Sequence, residues 1–309
     1  MNIVVYGVGG VGGFFGGKLA KAGYDVTFIA RGKHLEAIKK NGLYVKSIEG
    51  DFSISNVNAT EDLQEIKQAD VIFLAVKSWQ VEDIGIQLKP LLKKGAVVIP
   101  LQNGADNADK LLRSLTPNQV LAGLCRIISK IESPGVINHF AFHPQVIFGE
   151  LDNEKTDRVL KIKSLFDQAE IDCIVPDNIQ MAIWTKFLFI TTISGIGALT
   201  RSEIGPMRED DYLRDMMLQT ANEILQIANA KGININQETI TRTFVAIDKQ
   251  AYHSTASMQR DIMEGKPSEL ENFNGYIVKE GKNMGIPTPV NSFIYYCLLP
   301  MEIKARSVS

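Results

Sequence analysis

The sequence predicts an α/β domain with a mostly parallel sheet followed by an all-helical domain, and three features carry that reading. A glycine-rich turn, Gly7-Val8-Gly9-Gly10-Val11-Gly12, lies between an apolar strand and an amphipathic helix pattern. Apolar runs then alternate with helical spacing through the first half of the chain. Beyond Pro176 those runs stop, and helical spacing continues.

The elements follow in order. Asn2 to Tyr6 reads as a strand, the glycine turn opens a helix that ends near Gly23, and Asp25 to Ile29 reads as a second strand. A strand, G-x-G-x-x-G, a helix and a strand make up the dinucleotide fingerprint of Rossmann-type domains. Gly7 permits the tight turn, Gly9 lets a pyrophosphate approach the backbone, and Gly12 allows close packing of helix on strand. The N–H groups at the helix start face the phosphates. Residues Gly7, Val8, Gly9, Gly10, Val11 and Gly12 are therefore candidate cofactor ligands. The second strand ends in Ala30-Arg31-Gly32-Lys33, with no acid for a ribose 2′-hydroxyl. Arg31, and to a lesser degree Lys33, would suit a 2′-phosphate, which favours NADP over NAD; the alternative is a solvated helix start.

Val71 to Val76 and Ala96 to Pro100 are apolar throughout, as strands buried on both faces should be, and Val81 to Leu92 between them reads as a helix. Val120 to Leu124, Arg126 to Lys130, Gly135 to Phe140 and Gln145 to Phe148 are shorter, with a turn at Ser133-Pro134-Gly135. They read as antiparallel additions to the sheet. A helix over Lys155 to Ala169 and a strand over Ile171 to Val175 complete a cofactor-binding domain of residues 1–176. Residues 177–309 form the second, substrate-binding and catalytic domain. Its helices are expected at Ile179 to Leu199, Tyr212 to Lys231, Gln237 to Ile247, Glu269 to Met284 and Val290 to Met301.

Composition narrows the function. The 309 residues are 45% hydrophobic and 22% charged, with a net charge of −2 that leaves no basic footprint for nucleic acid. Three scattered cysteines, Cys125, Cys173 and Cys297, suit a reducing cytoplasm. No signal peptide is expected. The apolar zone from Phe187 to Leu199 is interrupted by Thr, Ser and Gly and falls short of a span of ~20 residues, so no membrane partner is expected. His139 and His143 are four apart, but His143 precedes Pro144, which biases it toward extended backbone, and no metal site is expected.

Chemistry-bearing residues gather where strands end. Lys77-Ser78-Trp79 and Gln102-Asn103-Gly104 each follow an apolar strand, and each is either a ligand-facing loop or a plain surface turn. In the helical half, Lys186 interrupts a strongly apolar helix, either snorkelling at its edge or held in a pocket where burial would lower its pKa. Ser257-Met258-Gln259-Arg260-Asp261, Lys266 and Glu269 form a second polar cluster, which by itself could be a solvated face.

Taken together and in this order, these motifs resemble the ketopantoate reductases (2-dehydropantoate 2-reductases) over essentially the whole chain. The resemblance implies a Rossmann domain and a helical domain with the active site in the cleft, and NADPH-dependent reduction of 2-dehydropantoate to (R)-pantoate. It implies Lys186 as general acid, Glu269 as the carboxylate positioning the substrate hydroxyl and the lysine, and Ser257 on the substrate carboxylate. Asn103 would contact cofactor and substrate, Lys77 would sit near the nicotinamide, and Arg31 would hold the 2′-phosphate. One departure stands out. Members with established substrate contacts often carry Asn four and eight residues after the lysine, where this chain has Ile190 and Ser194. Ser194 can still serve as a substrate-binding hydroxyl, but Ile190 cannot. A related reductase of a less polar 2-oxo acid is the second reading, and a non-catalytic NADPH-binding regulator the third. The second domain's apolar helices could equally build a core or a homodimer interface.

Overall fold

The computed structural model describes residues 1–307. It divides into a unit spanning Met1–Ile179 and a second unit from Gln180 onward. The first unit runs β1 (Ile3–Tyr6), α1 (Gly10–Lys21), β2 (Val26–Ile29), α2 (Gly32–Asn41), β3 (Leu43–Ser47), β4 (Phe52–Ile54) and β5 (Asn58–Thr60). It continues with β6 (Val71–Leu74), α3 (Val81–Leu88), β7 (Val97–Pro100), α4 (Asn107–Leu112), β8 (Ala122–Ser133), β9 (Val136–Gly149), α5 (Asp157–Gln168) and β10 (Asp172–Ile174).

Strands β5, β2, β1, β6 and β7 form one sheet in that order, and every pairing within it is parallel. Val4 of β1 stands opposite Thr27 on one side and Ile72 on the other. β1, β6 and β7 are buried along their whole length, which is why they read as unbroken apolar runs. Helix α1 carries five glycines in twelve residues, a poor composition by propensity alone. Packing holds it instead. A Cβ on Gly12 would lie 2.0 Å from the Gly7 carbonyl oxygen, and one on Gly16 would lie 2.7 Å from the Phe28 ring.

The later strands depart from the expected additions to this sheet. The four short segments are two long strands, β8 and β9, which pair antiparallel and belong to a second five-stranded sheet. One edge of β9 pairs with β8. The other pairs in parallel with β3 at residues 136–139 and with β10 at residues 145–147. Val120 still bridges Val98 of β7 before the chain leaves for the second sheet. The fragmentation seen in the sequence has two causes: register shifts between Arg126 and Ile128 and around Ser129, and Phe142, whose φ of 64° breaks the alternation of β9.

The second unit is helical: α6 (Ile179–Thr200, its first residue shared with the first unit), α7 (Ile204–Glu209), α8 (Asp211–Ala230), α9 (Gln237–Asp248), α10 (Ser257–Met263), α11 (Asn274–Met284) and α12 (Pro289–Ser307). By length and composition α6 is sufficient for a membrane span after all, with 22 residues and a mean hydropathy of 1.5 over its best window. That window is 67% buried inside the protein, and a helix apolar on all sides is then a core helix. Two short helices, α7 and α10, were not visible in the sequence. Helix α11 starts at Asn274 rather than Glu269, because residues 269–273 form turns. Helix α12 continues through Pro300 to Ser307.

Candidate functional site

In the first unit the singled-out residues lie at the carboxyl ends of the parallel strands. Gly7 follows β1 with φ of +98°, and a Cβ there would meet the Ala75 carbonyl oxygen and Val76 Cγ1, each at 2.9 Å. Only glycine satisfies both the backbone angle and the space. Gly9 is the N-cap of α1. It makes no side-chain cap, no acid occupies the first helical turn, and a Cβ on Gly9 would meet nothing within 4 Å. Gly10 lies against the backbone of Ser129, Val8 is buried and Val11 is half-buried. The start of α1 therefore offers uncapped N–H groups beside open space, which fits the pyrophosphate of a dinucleotide.

A cavity of about 640 Å³ adjoins this turn and is bordered by Gly7, Gly9, Arg31, His34 and Glu61 among others. Arg31 is the exposed N-cap of α2 and forms no ion pair among the described residues. Glu61 qualifies the reading from sequence, which found no acid at this corner. It follows β5, and Thr60 of β5 stands beside Ile29 at the end of β2. Glu61 thus borders the same cavity from the end of a neighbouring strand. Buried Tyr6 also lines it; burial pushes its phenol pKa up, partly opposed by Arg31. His34 accepts a hydrogen bond at Nδ1 from the Gly135 N–H, at 3.0 Å. A backbone amide can only donate, so the neutral ring carries its proton on Nε2. Burial keeps the His34 pKa below the ordinary histidine value, against an opposing pull from the Val8 backbone.

The two strand-end loops are tied together. The Ser78 hydroxyl donates to the Asn103 carbonyl at 2.6 Å, and Asn107 Nδ2 donates to the same oxygen at 3.1 Å. Lys77 is half-buried, with Nζ 5.7 Å from the centre of the Trp79 ring. Gln102 shows nothing in the sequence beyond its place in the loop. It is buried, and neither its amide oxygen nor its amide nitrogen has a partner among the described residues. Buried amides are ordinarily satisfied, so this side chain fits a ligand bound at the end of β7.

In the second unit, half-buried Lys186 lies on α6, in sequence between buried Trp184 and Phe187, whose rings pack on each other at 5.5 Å. Phe187 packs on Phe273 and Tyr276 with centroid distances of 6.1 and 5.9 Å, and Trp184 packs on Tyr276 at 6.1 Å. These contacts fix the lysine helix against the segment that carries Glu269, which is 6% exposed. Two glycines of α6 bring other elements close. A Cβ on Gly195 would lie 2.9 Å from Asn274 Oδ1, and one on Gly197 would lie 2.6 Å from Gln259 Oε1. Gln259 belongs to α10, whose first residue is half-buried Ser257. The elements bearing Ser257 and Glu269 thus pack against the helix that carries Lys186. Lys266 is apart from them, paired with Glu264 on the surface. Ile190 is half-buried. Ser194 is fully buried, and its hydroxyl has no partner among the described residues.

The histidines have structural partners. His139 is buried between Ser47 Oγ at 2.9 Å and the Phe142 carbonyl at 2.7 Å, and His143 meets Glu49 at 2.6 Å.

Residues 3–153 match the family described as Ketopantoate reductase PanE/ApbA, and residues 178–302 match Ketopantoate reductase PanE/ApbA C terminal. A 2-dehydropantoate 2-reductase of Pyrococcus abyssi is 31% identical over 96% of each chain. An uncharacterized oxidoreductase, YkpB, of Bacillus subtilis is 30% identical over 98% of this chain and 100% of its own. Among solved structures, a PanE/ApbA family ketopantoate reductase from Ralstonia eutropha superposes with a TM-score of 0.90 at 28% identity, covering 99% of this chain and 100% of that one. D-mandelate dehydrogenase with NADH and anilino(oxo)acetate has the same fold, with a TM-score of 0.90 at 23% identity over 99% of both chains.

Proposed function

We propose that this chain, which belongs to the ketopantoate reductase family, is an NADPH-dependent reductase of 2-dehydropantoate, forming (R)-pantoate in the cytoplasm. The observation that carries the reading is buried Glu269 on a segment packed against the lysine helix by Trp184, Phe187, Phe273 and Tyr276. Carboxylates are rarely buried, and those that are concentrate at functional sites. When bound, NADPH supplies the hydride that adds to the carbonyl carbon. Lys186 holds a proton at Nζ and gives it to the carbonyl oxygen as negative charge develops there, a contribution of ~10²–10⁴ in rate. Glu269 orients the substrate's hydroxyl and the lysine, and the Ser257 hydroxyl bonds the substrate carboxylate. In the first unit, uncapped N–H groups of α1 hold the pyrophosphate and Arg31 holds the 2′-phosphate. Lys77 and Asn103 border the nicotinamide.

A second reading, reduction of a less polar 2-oxo acid, is favoured by the apolar Ile190 and the enclosed hydroxyl of Ser194. The fold does not choose between the two, since it also serves D-mandelate dehydrogenase. NADPH oxidation against a panel of 2-oxo acids decides. The expected result is the highest kcat/KM for ketopantoate. Preference for an analogue lacking the terminal hydroxyl, reversed by Ile190→Asn, would establish the second reading instead. Absence of turnover with every 2-oxo acid would overturn both.

A further inference from the structure

We propose that Glu302 and Arg306, near the end of α12, are positioning residues that hold Glu269 in place. The inference rests on the assignment of Glu269 to the site. Glu269 lies outside any helix, in the turns that precede α11, so regular secondary structure does not fix it. Its predecessor Ser268 is completely buried, and all of its polar groups are occupied. The Ser268 N–H donates to both carboxylate oxygens of Glu302, at 3.1 and 3.0 Å, and the Ser268 hydroxyl donates to Oε2 at 2.6 Å. The Ser268 carbonyl accepts from Arg306 Nη2 at 3.0 Å. Arg306 Nε pairs with Glu302 Oε1 at 2.7 Å, the two residues standing four apart on α12.

The consequence is geometric. The Ser268 carbonyl belongs to the planar peptide whose other end is the nitrogen and Cα of Glu269. Holding that carbonyl and the preceding N–H fixes the plane from which the Glu269 side chain departs. The Leu270 N–H donates to the Ser268 hydroxyl at 3.2 Å, so the residue after Glu269 is tied to the same oxygen. Glu302 itself is 2% exposed. A buried carboxylate is tolerated only when paired and fully hydrogen-bonded, and here the whole arrangement converges on one turn.

The test is a cycle of four proteins: wild type, Glu269→Ala, Glu302→Gln and the double variant, assayed for ketopantoate reduction and NADPH binding. Glu302→Gln is expected to lower kcat ~10-fold with the NADPH Kd within ~2-fold, and to cost less than ~2-fold more in the Glu269→Ala background. If the two losses multiply in the double variant, Glu302 acts independently of Glu269 and the proposal is wrong. Should Glu269→Ala alone turn over like wild type, the reading of the site fails and the proposal with it; that single variant separates the two failures. If Glu302→Gln does not fold, Ser268→Ala removes only the hydroxyl bonds. It is expected to lower kcat ~3-fold in wild type and to have no further effect in Glu269→Ala; equal losses in both backgrounds would overturn the proposal.

Discussion

The candidate residues of the two units are held in place by opposite means. In the first unit the glycine turn is shaped by missing side chains: Gly7 and Gly12 fit because no Cβ could, and Gly9 leaves open space before the N–H groups of α1. In the second unit the turn that carries Glu269 is held through side chains, with buried Glu302 and exposed Arg306 gripping Ser268. A site made of backbone needs particular residues at fixed short spacings. A site clamped by side chains can recruit them from more than thirty residues away, as Ser268 does with Glu302, 34 residues further along the chain. That difference decides how each half should break, and how visible each is in a sequence.

The largest effect is expected from Gly12→Ala. Its Cβ would sit 2.0 Å from a backbone oxygen, so strand and helix must part, at about 1–3 kcal/mol. Both Tm and NADPH affinity should fall, the latter by ~10–100-fold if the strain is taken up in the phosphate turn. Gly9→Ala sharpens the contrast, because its Cβ meets nothing within 4 Å. Thermal melting should be unchanged while NADPH titration shows weaker binding. A drop in Tm for Gly9→Ala, or none for Gly12→Ala, would contradict the account of the turn.

The next effect concerns charge at the cavity. Charge-assisted hydrogen bonds contribute ~1.5–3 kcal/mol, so Arg31→Ala should weaken NADPH by one to two decades and NADH little. Glu61 borders the same cavity and opposes a 2′-phosphate. Glu61→Gln should shift the NADPH/NADH preference toward NADPH by only a few-fold, the scale of an exposed charge interaction. Equal weakening of both cofactors by Arg31→Ala would mean that the arginine is structural and does not read the 2′-phosphate.

Much of the first half was legible in the sequence, and the reasons are local. β1, the glycine turn, α1 and β2 are consecutive, and each glycine's role follows from its spacing. Glu61 was missed because β5 is only three residues long and neighbours β2 in space rather than in sequence. β8 and β9 looked like fragments because their register shifts and the left-handed Phe142 interrupt the period of two. In the second half Lys186 was visible as a charge in an apolar helix. The Glu269 turn resembles helix in the sequence because Glu269 and Asn272 stand at near-helical spacing, yet α11 starts only at Asn274. The Glu302–Arg306 pair, with its i,i+4 spacing, looks like any solvated pair on a helix. Nothing local says that Glu302 is buried against Ser268.

The smallest expected effect is in pH. His34 is held below its ordinary pKa by burial, so the folded protein binds fewer protons there than the unfolded chain. Stability from this group is full above the unfolded value of about 6.5 and is lost as pH falls through the folded value. Protonating Nδ1 would also remove its bond to the Gly135 N–H. Melting curves should show a modest loss of Tm below about pH 6.5 that His34→Gln reduces. An unchanged pH profile in His34→Gln would show that this ring does not titrate with folding.

The division of labour between a cofactor-binding first unit and an acid-bearing second unit is tested most directly by Lys186→Ala, with NADPH Kd and ketopantoate kcat measured on the same protein. The account predicts a Kd within ~2-fold of wild type and a kcat lowered by ~10²-fold or more. Near-wild-type turnover, or a loss of NADPH binding equal to the loss of rate, would contradict it.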